Sequence, residues 1–193
     1  MALLDLPLRE FLDEVTADGR TPGGGSVAAL VTAIAAGLLA KVARASGATW
    51  PEAPGIAAQA ESLVSRSAPL VQTAADRYEA ALRARAQSGE GQGARLDFEL
   101  GKAYASAAEP PLEIARTASD VAWLALTVAQ NGDLALRADA VTAALLAAAA
   151  AGAAAELVAV NLTAAADDPR VLEAAKAAEE AARAAEAARA VRE

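Results

Sequence analysis

The chain has 193 residues, enough for one domain with a substantial core, and carries a net charge of −8. It contains no cysteine and no histidine, which excludes a disulfide framework, a thiol or imidazole nucleophile and a zinc site of those ligands. The acidic balance argues against nucleic acid as a general partner, and at 3% aromatic residues the chain offers little platform for stacking bases.

Proton transfer must then fall to Asp, Glu, Lys, Tyr, a held water or the substrate itself. The start, Met1-Ala2-Leu3-Leu4-Asp5, lacks the basic region and apolar core of a secretory signal, so a cytoplasmic protein is expected. In chain order, Asp5 to Thr16 reads as a short amphipathic helix, with Leu8, Phe11, Leu12 and Val15 at helical spacing. Ala17-Asp18-Gly19-Arg20 breaks it. Next comes Thr21-Pro22-Gly23-Gly24-Gly25-Ser26, leading into a small-residue helix expected from Pro22 to Ser46 and capped by Gly47.

That glycine block can open its helix in two ways. Thr21 caps with Pro22 at the first helical position, or Ser26 caps after a loose glycine turn. Both leave backbone N–H groups unshielded by Cβ atoms. They would seat a carboxylate or phosphate, or else allow a close helix crossing. The substrate-binding candidates here are Pro22, Gly23, Gly24, Gly25 and Ser26.

Trp50 to Gly55 is a connection by its proline and glycine content. A third helix is expected over Ile56 to Gln87, broken or bent at Pro69, and Ser88 to Gly93 is the most flexible stretch. A fourth spans Ala94 to Gln130; Pro110-Pro111 inside it removes two backbone donors and must kink or interrupt it. Asn131-Gly132-Asp133 closes that element. The fifth, Leu136 to Ala165, is almost wholly apolar between Ala140 and Ala155 and is expected at the centre. Asp167-Asp168-Pro169 caps a final helix reaching Arg192, with Glu and Arg over an alanine stripe.

The apolar runs Val27 to Ala40 and Ala140 to Ala155 fall short of the roughly 20 residues that span a bilayer, so no membrane segment is expected. No segment has strand period. The fold class is all-α: one domain over residues 1–193, an antiparallel up-and-down bundle of five to six helices, whose apolar faces call for a homodimer.

Arg137 and Asp139 open the fifth helix. Asp139 either complements the helix dipole in the first turn or points into the bundle as an acid–base group, with Arg137 holding an anionic part of a substrate. Glu156 and Asn161 are the strongly polar side chains of that helix's later half, each expected to be partnered or to face water. Lys41 is expected to be solvated.

Four ordered blocks resemble the formiminotetrahydrofolate cyclodeaminase / methenyltetrahydrofolate cyclohydrolase family. They are Leu8 to Val15 followed by Thr21 to Ala29, Pro111-Leu112-Glu113-Ile114-Ala115, Gly132 to Ala140, and Val160-Asn161-Leu162. The resemblance implies a cyclodeaminase-like bundle with a folate cleft between helices, often at a dimer interface. It implies a tetrahydrofolate derivative as substrate or ligand, with no separate cofactor or metal. The chemistry would be loss of ammonia with closure of a methenyl bridge, or hydrolysis of that bridge, with Asp139 as the catalytic candidate. The alternative is a folate- or anion-binding scaffold without catalysis. Three departures bear on this choice. Gln72 and Ala74 stand where the family keeps two acids, Leu157 replaces an asparagine, and Ala138 replaces a serine. The segment Ser88 to Gly93 is also shorter than the family's polar insertion.

Overall fold

The computed structural model describes residues 2–87, 94–163 and 167–191. Among them lie eight α-helices and no strand: α1 (Leu8–Thr16), α2 (Gly24–Ala45), α3 (Ala53–Ser67), α4 (Leu70–Gln87), α5 (Ala94–Ala107), α6 (Glu109–Asn131), α7 (Arg137–Asn161) and α8 (Pro169–Ala190). The all-α bundle expected from sequence is what the chain builds. Its six expected helices become eight because proline divides two of them. Pro69 separates α3 from α4, and Pro110-Pro111 restart the chain as the first turn of α6, where missing N–H groups cost no helical bond. The expected flexible stretch, Ser88 to Gly93, lies outside the described residues.

α2 and α7 run antiparallel along the middle: Gly24 of α2 faces Leu157 of α7, and Lys41 faces Asp139. Alanine sets the layer spacing, because a methyl side chain lets helix axes approach closely. The larger of two core clusters surrounds Leu39, Val42 and Val121, with Trp50 of the α2–α3 connection wedged into it. The smaller gathers Phe11, Val71, Ile114 and Val158 at the other end of the bundle.

Three expectations change in the structure. α2 stops at Ala45, and Ser46, not Gly47, closes it, with the Ser46 hydroxyl donating to the Val42 carbonyl at 2.9 Å. The same hydroxyl accepts the Asp133 N–H at 2.9 Å, which ties the α6–α7 connection to the end of α2. α1 buries only Phe11 and leaves Leu8 and Leu12 exposed. Finally, α2 and α7 are long and apolar enough to cross a membrane by length and composition, since the helices outrun their most apolar stretches. Here both pack side by side in the bundle.

Candidate functional site

The glycine block opens α2 in a third way. Gly23 occupies the cap position in extended conformation, with no side-chain cap, and the helix begins at Gly24. Neither Thr21 nor Ser26 caps it. Ser26 instead donates its buried hydroxyl to the Val71 carbonyl at 2.7 Å, fastening α2 to α4. That bond turns the first helical turn toward a cleft of about 260 Å³. The first-turn N–H groups of Gly24, Gly25 and Ser26 have no side-chain acceptor at this helix start. Pro22, joined to Thr21 by a cis peptide bond, is buried behind the turn and does not line the cleft.

Three other elements complete the walls. α4 contributes Ala74, Ala75 and Tyr78, which share one helical face by their spacing. Ala74 confronts the turn directly: a Cβ on Gly25 would lie 3.0 Å from the Ala74 Cβ. α7 contributes Leu157, Val160 and Asn161 from its last turn. The α5–α6 break contributes Ala107 and Pro111. Pro111 has no N–H to offer the Ala107 carbonyl, and Asn161 Nδ2 donates to that carbonyl at 3.3 Å instead. Pro111 thus borders the cavity, and Asn161 is partnered there.

Arg20 stands among the cleft residues and forms no ion pair among the described residues. Arg20 and Tyr78 are the ionisable side chains of the described lining, and no carboxylate belongs to it. A helix N-terminus beside a guanidinium favours an anion. A second cleft of about 750 Å³ adjoins the first across Tyr78, Val160 and Asn161. It carries Arg85, Asp97 and Tyr104, and the Asp168–Arg170 pair closes one side. Asp168 caps α8 by accepting the Arg170 N–H at 2.9 Å, and the Arg170 guanidinium reaches on to the Ala105 carbonyl at 3.1 Å. The guanidinium hydrogen bond holds the Asp168 carboxyl at about 2, well below its ordinary value.

Arg137 and Asp139 are elsewhere. Asp139 precedes Asn161 by 22 positions on α7, about 33 Å along the axis. At that far end Asp139 lies 3.6 Å from Lys41 Nζ, with both groups well exposed. Arg137 is half-buried there and its Nε has no hydrogen-bond partner among the described residues. One chain therefore brings the glycines together with Ala74, Leu157 and Asn161, but does not bring Arg137 or Asp139 to them. Gln72 is spent on structure: its Oε1 accepts the Leu3 N–H at 2.9 Å and its Nε2 donates to Asp76 at 2.8 Å. Glu156 faces water.

Sequence reasoning missed Arg20 and Tyr78 as cleft residues. A signal existed for each, since Arg20 abuts the glycine block and Tyr78 follows Ala74 by one helical turn. Among the described residues no cluster of three Asp or Glu side chains is placed to hold a metal ion.

No curated protein sequence matches the chain. The crystal structure of formiminotetrahydrofolate cyclodeaminase from Thermotoga maritima superposes with a TM-score of 0.81 at 27% identity, covering 96% of this chain and 93% of that one. The family described as formiminotransferase-cyclodeaminase matches residues 7–185. That match takes in the glycine turn, the proline break and the last turn of α7 that together make the cleft, and the chain belongs to the formiminotransferase-cyclodeaminase family.

Proposed function

We propose that this protein is a cytoplasmic homodimer of one-carbon metabolism that binds a reduced folate in the glycine cleft. Its chemistry is of cyclodeaminase or cyclohydrolase type, and neither nucleic acid nor membrane is a partner. The observation that carries the reading is the convergence of an uncapped glycine helix start, Arg20 and Tyr78 on one cleft. The helix start and Arg20 suit a carboxylate of the folate tail, and Tyr78 suits the face of a planar ring. Together with the adjoining cleft the space reaches the range typical of small-molecule sites.

In cyclodeamination, N10 of a protonated formimino-tetrahydrofolate attacks the formimino carbon. The N10 proton passes by way of a base to the amino nitrogen, the carbon–nitrogen bond breaks, and ammonia leaves. The methenyl bridge retains the positive charge. A carboxylate is suited both to carrying that proton and to stabilising the cationic centre. The described lining of the glycine cleft holds none, and the resemblance implies a family acid where Ala74 stands. This favours the second reading, a folate-binding scaffold without turnover, unless the carboxylate comes from elsewhere.

Calorimetric titration with formimino-, methenyl- and formyl-tetrahydrofolate, followed by an ammonia-release assay, tests the proposal. Gly24→Val should weaken binding about tenfold or more while leaving helicity intact, because the added Cβ makes only ordinary contacts of 3.7–3.8 Å with Leu157. A parent that binds none of these folates, or a Gly24→Val protein that binds as the parent does, overturns it.

A further inference from the structure

The wall of the glycine cleft opposite the helix start is apolar. α4 and α7 converge there: a Cβ added to Gly25 would lie 3.0 Å from the Ala74 Cβ and 4.0 Å from Leu157 Cδ1. One added to Gly24 would lie 3.7 and 3.8 Å from the two Leu157 methyls. Pro111 and Val160 extend the same lining. The charge beside this wall is of one sign. Arg20 brings a guanidinium, the uncapped start of α2 adds the positive end of a helix dipole, and no carboxylate stands in the described lining. The acids closest to the wall in sequence are engaged elsewhere. Asp76, two positions beyond Ala74, is exposed and accepts from Gln72, and Glu156, one before Leu157, faces water. In the adjoining cleft Asp168 is held by Arg170, and Asp97 is exposed.

From this we infer that the cleft selects reduced folates whose one-carbon unit is uncharged, a formyl group above all, and discriminates against the cationic formimino and methenyl forms. The inference rests on the folate reading and adds to it the chemical class of the ligand. A formyl and a protonated formimino group on the same folate nitrogen have nearly the same shape. They differ in one terminal atom: the formyl ends in a carbonyl oxygen that accepts, the formimino in a nitrogen that donates and shares a full positive charge. The donors of the cleft are strong, namely the first-turn N–H groups, the Arg20 guanidinium and the Tyr78 phenol. Asn161 Nδ2 is already spent on the Ala107 carbonyl. The side-chain acceptors of the described lining, such as Asn161 Oδ1 and the Thr21 hydroxyl, carry no charge.

Desolvation decides the preference. A cation moved from water onto a wall of methyl groups loses hydration that no opposite charge returns, and Arg20 repels it as well. A carbonyl loses far less on leaving water and gains hydrogen bonds from the donors present. The pterin and the folate tail are common to the two ligands and cancel from the comparison. Ala74 and Leu157 are thus the specificity-determining residues, because they shape the seat and leave it without a counter-charge. Mispaired polar groups are rejected more strongly than a misplaced methyl group, so a preference of about tenfold is the least expected.

Calorimetric titration of the parent with formyl- and formimino-tetrahydrofolate, each carrying its unit on the same nitrogen, reads the preference directly. The formyl form should bind at least about tenfold more tightly. Ala74→Asp supplies the missing charge and should shift the ratio of the two affinities toward the formimino form by about tenfold or more. Ala74→Asn, of the same size and uncharged, should keep the parent's preference. Where circular dichroism shows that Ala74→Asp does not fold, Leu157→Asp, at a half-buried position of the same cleft, should make the same shift. A parent that binds the formimino form as tightly as the formyl form overturns the inference and leaves the folate reading standing. So does a folded Asp variant with the parent's ratio, or an Ala74→Asn protein that shifts the ratio as far as Ala74→Asp. A parent that binds neither ligand overturns the folate reading and this inference with it.

Discussion

The two ends of the α2–α7 pair use the same kinds of residue for opposite purposes. At one end, Gly132 lies where an added Cβ would come within 2.6 Å of the Val128 carbonyl and 3.1 Å of the Ser46 hydroxyl. There glycine is needed so that the α6–α7 connection can close on the end of α2. At the other end, Gly24 would hold a Cβ at ordinary distance from Leu157. There glycine keeps space open. Charge divides the same way: Lys41 and Asp139 pair at the closed end, whereas Arg20 at the cleft is unpaired among the described residues. The comparison teaches that a conformationally free residue marks close packing or access, and only its neighbours say which.

The largest expected effect breaks the open end's lack of acid. Ala74→Asp places a carboxylate opposite Gly25 in the cleft that Arg20 also lines, and ammonia release from formimino-tetrahydrofolate should rise by about 10²-fold or more. Gln72→Asp should add nothing to it, because Gln72 holds Leu3 and Asp76 rather than the cleft. An Ala74→Asp protein no faster than its parent would show that acid supply at this wall does not limit the reaction.

The closed end is broken by Gly132→Ala. Its Cβ meets backbone, not a flexible side-chain tip, so the connection must shift at a cost of about 1–3 kcal/mol. A urea midpoint equal to the parent's would show that the contact relaxes freely. Between the ends, the Thr117 hydroxyl is buried with no hydrogen-bond partner among the described residues. Thr117→Val keeps its shape, removes that polar group, and should stabilise the fold by about 1 kcal/mol. Calorimetry showing a loss of stability would mean that the hydroxyl is satisfied.

The smallest effect concerns acid. The folded-state value of Asp168, about 2, lies below its ordinary 3.8. Its contribution to stability is therefore complete above about 3.8 and is lost as pH falls through about 2. Asp168→Asn should flatten that limb of the stability–pH curve without altering its shape near neutrality. An unchanged acid limb would place the acid sensitivity in other carboxylates.

The sequence alone determined the helices, because a 3.6-residue apolar period, dense alanine and well-placed prolines are local properties of the chain. Pro69 and Pro110-Pro111 interrupt it where they stand, as a residue with no N–H must. Four ordered blocks also identified the family. What the local pattern could not decide was which residues meet. The resemblance made Asp139 the catalytic candidate, yet the 25 residues of α7 hold it at the end away from Leu157 and Asn161, which stand at the glycine turn. Ser26 looked like a ligand group or a cap until packing of α2 on α4 gave its hydroxyl to Val71. Asn161 was legible only as a polar side chain that must be partnered or face water, and the carbonyl freed by Pro111, 50 positions earlier, explains its place. Helix formation is governed by neighbours within four residues, whereas cleft walls are chosen by long-range packing, which sums many small contacts that no single segment encodes.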